Sequence, residues 1–133
     1  MTDLNKGDNI RYPLSFHWFS KLNLTRFIPW HFDSELNLDP NRSINQRFRK
    51  ECKNREVITF GHRQDQDTFA GFEIINQTIQ EKVLVFHPSF GENVDGWNIV
   101  EAEYSNFFEF LKKEVLPTME EWIEEDDVED YLD

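Results

Sequence analysis

His62, Arg63, Asp65 and Asp67 fall within six residues, between the apolar runs Val57-Ile-Thr-Phe60 and Phe69-Ala-Gly-Phe-Glu-Ile-Ile75. An imidazole and two carboxylates this close together suit a divalent metal, acid–base chemistry or a polar turn. A zinc site needs three or four ligands converging at ~2.0–2.3 Å. His62, Asp65, Asp67 and His87 are the candidates, yet none stands in an HExxH, HxH or CxxC spacing. Asp65-Gln-Asp67 is like the opening of a calcium loop, but the glycine and the distal glutamate of such a loop are not at the required offsets. Aspartates also favour turns, because their side chains bond neighbouring backbone N–H groups. The residues therefore predict a hairpin connection and no metal, with a metal-dependent hydrolase as the competing reading.

Other chemistry finds less support. Ser89 and Ser105 lack a GxSxG setting, and Cys52 lies on the apolar stripe of its own predicted helix. Gly61, Gly71, Gly91 and Gly96 are too scattered for a phosphate-cradling loop. Gly71 has a simpler use inside a strand, where it lets another backbone come close. No catalytic residue and no cofactor is expected.

The elements that must position this cluster follow from periodicity and punctuation. Pro13 ends an extended lead-in, and a short helix from about Ser15 would bury Phe16, Phe19 and Leu22. Residues 25–32 are too aromatic to float free and too punctuated for a long element, so they wedge into the core edge. Ser43-Ile-Asn-Gln46 has the order of a capping box. The helix it opens has Ile44, Phe48 and Cys52 as its stripe and a solvated basic face of Arg47, Arg49, Lys50 and Lys53.

From Val57 the period becomes two. Strands are predicted over 57–60, 68–75, 82–87 and 97–100, with residues 61–67 as a polar connection. The run Val83-Leu-Val-Phe86 is apolar on both faces and belongs in the middle of the sheet. Ser105 caps a helix over 106–116 that buries Phe107, Phe108, Leu111 and Val115, and Pro117 stops it. Thr118-Met-Glu-Glu121 then opens a second short helix burying Met119, Trp122 and Ile123. Residues 1–123 form one domain and 124–133 an acidic tail.

Charge narrows the function. The net charge of -12 opposes binding to nucleic acid, which needs cationic surface to displace counterions. The imbalance is local: residues 1–63 hold 11 basic and 7 acidic side chains (+4), and residues 64–133 hold 3 and 19 (-16), which sum to -12. A basic protein partner is the electrostatic complement. One cysteine permits no internal disulfide, and neither a signal peptide nor an apolar run of ~20 residues is present, so a cytoplasmic protein without membrane contact is expected.

In this order the pieces resemble the SUKH superfamily, which groups bacterial immunity proteins with fungal cell-wall-assembly regulators. Three stretches carry the likeness: Tyr12-Pro-Leu-Ser-Phe16 with residues 24–32, then residues 58–74, then residues 82–87 followed by Gly96-Trp97 and residues 104–111. The second is similar to the PFARRxDNDDxACF run of one bacterial branch, with Gly61-His62 where that branch has Ala-Arg, Gln66 for its Asn and Gly71 for its Cys. The resemblance spans about residues 10–123. It implies a single α+β domain with a central, mostly antiparallel twisted sheet flanked by helices, and no enzymatic activity. It further implies an immunity protein that neutralises a toxin, such as a basic nuclease, or alternatively a regulatory scaffold of the cell-wall type. For the first role Asp65, Asp67, Glu92 and Asp95 would steer the partner and Trp97 would anchor it.

Overall fold

The structure is a computed structural model that describes residues 12–89 and 98–125. Its centre is a six-stranded antiparallel sheet whose strands follow one another in chain order. They are β1 (Arg26–Phe27), β2 (Trp30–Phe32), β3 (Glu56–Arg63), β4 (Phe69–Ile75), β5 (Thr78–Phe86) and β6 (Val100–Tyr104). Helix α1 (Leu14–Lys21) precedes the sheet. The β2–β3 connection carries a 3-10 turn (Glu35–Asn37) and helix α2 (Ser43–Glu51). After β6 come α3 (Phe107–Phe110), a π-helical turn (Leu111–Val115) and α4 (Leu116–Glu125). This is an α+β fold, as the sequence predicts.

Strand alternation splits the core between two faces. Ile58, Phe60, Ala70, Phe72, Val83 and Val85 join Phe16 of α1 and Phe107, Phe110, Leu111 and Val115 on one side. Val57, Leu84, Phe86 and Ile99 join Phe48 of α2 on the other, where Ile44, Cys52 and Phe69 pack against them. The first cluster is built largely from aromatic edges meeting faces. Phe16 lies 5.2 to 5.4 Å from Phe60, Phe72 and Phe107 between ring centroids, a separation at which the ring quadrupoles attract. With β5 paired to both β4 and β6, Val83 to Phe86 are buried on both faces, which is why that run shows no alternation.

Several elements depart from the sequence reading. Residues 26–32 form two strands, joined through a cis Ile28–Pro29 peptide. β3 runs on through Gly61, His62 and Arg63, because β2 gives those residues a second partner. β5 starts at Thr78, right after Asn76 and Gln77, both with positive φ (51° and 65°). That is the geometry of a tight hairpin turn. The sixth strand lies at Val100–Tyr104, C-terminal to the expected 97–100. A Cβ on Gly71 would sit 2.7 Å from the Ile58 carbonyl oxygen, the close backbone approach expected there.

The helix ends also differ. α2 begins without a capping box: Arg42 is its N-cap, no side chain caps it, and the Gln46 amide donates to the Asn41 carbonyl instead. At the last helical stretch the cap is Asn106, whose side chain accepts from Glu109 N–H at 2.9 Å. Pro117 does not stop the helix. A π turn, in which Leu116 N–H reaches back to the Leu111 carbonyl, places Pro117 in the first turn of α4, where no N–H is needed. Thr118 then donates to the Glu114 carbonyl at 2.6 Å, so its hydroxyl is not a cap. The buried stripe also differs from the expected one: Phe110 is buried, whereas Phe108 and Ile123 are 45% and 50% exposed.

Candidate functional site

The predicted cluster forms the tip of the β3–β4 hairpin. Arg63 donates from Nε and Nη2 to the two carboxylate oxygens of Asp65, at 2.9 and 2.7 Å. This fork-to-fork pair closes the turn. Gln64 ties the tip to β2, its N–H donating to the Pro29 carbonyl and its side-chain oxygen lying 2.5 Å from His31 Nε2. Asp67 is exposed. His62 stacks on His31, ring centroids 5.5 Å apart, while His87 follows β5, with β4 intervening. Among the described residues no three His, Cys, Asp or Glu side chains are placed to hold a metal ion.

The hairpin tip shares one end of the sheet with the β5–β6 connection, because Phe69 pairs with Phe86 and Phe86 with Val100. Glu92, Asp95 and Trp97 belong to that connection and lie outside the described residues. The fold brings further acids to this end which the sequence reading did not single out. Glu101 of β6 and Glu121 of α4 each lie close enough to Glu114 of the π turn to repel its charged form. Burial pushes the Glu114 carboxyl above its ordinary range, the Tyr104 bond and Arg63 pull it down, and Glu101 and Glu121 push it up again. Tyr104 donates its hydroxyl to Glu114 at 3.0 Å. Its own pKa is pushed up to about 12, by burial first and then by that carboxylate.

Beside the hairpin, on the α2 face, lies a cavity of about 300 Å³ lined by Asp33, Arg42, Ser43, Ile44, Thr59, Gly61, His62 and Phe69. Arg42 bridges Asp33 (2.6 Å) and the Thr59 carbonyl (3.3 Å) through the same Nη1. Asn45, buried at 2% exposure, holds α2 to β3 by accepting from Thr59 N–H (2.9 Å) and donating to the Asp39 carbonyl (2.8 Å). Partial burial holds the His62 imidazole below its usual pKa; His31 and Arg42 press the same way and Asp33 opposes them. Of this lining the sequence reading singled out His62 for chemistry and took Ile44, Gly61 and Phe69 as elements of the fold. Asp33, Arg42 and Thr59 are 9 and 17 positions apart in turn, and no local motif links them.

Elsewhere the charges are structural. Arg55 donates from Nε to the buried Glu73 at 2.8 Å and from both Nη atoms to Glu103 at 3.3 Å, and Lys82 approaches Glu103 at 3.4 Å. The basic face of α2 is solvated: Arg47 and Arg49 pair with Glu51 and Glu56 at 3.6 and 3.4 Å, and Lys50 and Lys53 are exposed. No helix among the described residues is long and apolar enough to cross a membrane. No family model matches the chain, and neither a curated protein nor a solved structure matches it.

Proposed function

We propose that the protein is a non-enzymatic, cytoplasmic binding protein of the immunity type, which occupies the basic surface of a toxin domain, such as a nuclease, with its acidic rim. The observation that carries this reading is that Glu101, at the end of the sheet that also presents Asp65 and Asp67, acts together with Glu121 on the Glu114 carboxyl, which Arg63 of the hairpin also reaches. The cation among them, Arg63, is already committed to Asp65. Like charges raise the free energy of the unbound protein, and a cationic partner relieves that cost when it docks. The likeness to SUKH proteins supports the same role.

Such a protein works by competition: its carboxylates stand where a nuclease would place phosphates, so the toxin's cationic groups are engaged without any reaction. The test is co-expression with the toxin domain the protein is proposed to neutralise, sought first in the adjacent reading frame. Restored growth together with a complex that survives purification is the expected result. Growth arrest despite abundant folded protein would overturn the immunity role.

A further inference from the structure

We propose that the cavity between the N-terminus of α2 and strand β3 is a binding site for a small carboxylate with an apolar tail. The inference is independent of the immunity reading. α2 has nine residues, and its N-cap, Arg42, supplies no side-chain hydrogen bond. Asn45 and Gln46 N–H both donate to the Arg42 carbonyl, which leaves Ser43 and Ile44 N–H without an intrahelical acceptor. Both residues line the cavity. Backbone donors at the positive end of a helix favour an anion.

A second observation points to the same ligand. Thr59 lines the cavity at 2% exposure, and its hydroxyl is buried with no hydrogen-bond partner. Buried hydroxyls are nearly always paired, so an orphan beside a cavity marks a place for an acceptor. Arg42 spends only Nη1 on Asp33 and on the Thr59 carbonyl, and keeps Nε and Nη2 to offer.

The same lining selects the ligand class. Asp33 balances Arg42, and His62 is held toward its neutral form, so the cavity carries no excess positive charge that would retain a dianion. A monoanion fits, with its oxygens on the helix N–H groups and the Thr59 hydroxyl. Ile44 and Phe69 form apolar walls for the rest of the molecule. A volume of about 300 Å³ suits a small metabolite.

Amide NMR of the full chain, titrated separately with isovalerate, isovaleramide and inorganic phosphate, tests the assignment. Isovalerate is expected to shift Ser43, Ile44 and Thr59 saturably in the millimolar range, with the amide and phosphate markedly weaker. Thr59→Val removes the orphan hydroxyl at constant shape. It should leave the melting temperature equal or higher while weakening isovalerate about tenfold, the worth of one hydrogen bond. Absence of saturable shifts, unchanged affinity in Thr59→Val, or phosphate binding as tight as isovalerate would each overturn the proposal.

Discussion

At the scale of single residues, two carboxylates show opposite electrostatic situations. Glu73 is buried beneath Arg55, with a side chain 9% exposed. Removing the guanidinium strands a charge in the interior, so Arg55→Met should cost about 3 kcal/mol, the low end for a buried pair because Arg55 itself is 28% exposed. Urea denaturation measures this, and the double variant with Glu73→Leu should recover most of the loss. Glu114 is the reverse case, since burial and its acidic neighbours raise its pKa in the folded protein. A carboxyl with a raised folded pKa favours folding while protonated, and that contribution is lost as pH rises through the folded value. Glu114→Gln keeps an oxygen to accept from Tyr104 and removes the charge. Its melting temperature should exceed that of the wild type at neutral pH, and the difference should vanish below the ordinary glutamate pKa of about 4.3. A difference that grows on acidification would contradict the assigned direction.

At the scale of elements, legibility depended on whether a segment's environment was local. The stripe of α2 was readable because Phe48 and its neighbours at i±4 face one cluster, and β5 was readable because two flanking strands remove its polar face. β1 and β2 were not, because strands of two and three residues exist only by pairing, β1 with β2 and β2 with β3, and offer no period to detect. Pro117 misled for a related reason, since the π turn that accommodates it shows in backbone geometry and not in composition. The β4–β5 hairpin was hidden because its second turn residue is Gln77, at φ 65°, where Asn-Gly is the usual signal. Gln77→Gly should therefore stabilise the protein by about 1 kcal/mol, by removing the left-handed strain of a residue with a Cβ. An unchanged denaturation midpoint would show that the strain is absorbed elsewhere. The candidate sites divide in the same way. Asp65 and Asp67 could be read from one hairpin, whereas Glu101, Glu114 and Glu121, or Asp33, Arg42 and Thr59, converge only when strands and helices from distant parts of the chain are brought together.

At the scale of the whole molecule, the charges of the described residues are distributed with a direction. Basic side chains on α2 are paired or solvated on one face, and Lys112 and Lys113 are held by Glu109 at 2.6 and 3.2 Å. The rim, where the hairpin tip meets the β6 edge and the π turn, has Arg63 for its compensation, and Asp65 already engages that guanidinium. Such a surface governs how fast a cationic partner arrives more than how slowly it leaves. The most direct measurement is the association rate with the proposed basic toxin domain, at low and at physiological salt, for the wild type and for a variant carrying Asp65→Asn, Asp67→Asn, Glu101→Gln and Glu121→Gln. The wild type should associate more slowly as salt rises, and the variant should associate about tenfold more slowly at low salt with a flattened salt dependence and a similar dissociation rate. Equal association rates for the two proteins at both salt concentrations would contradict the account and place the binding surface away from this rim.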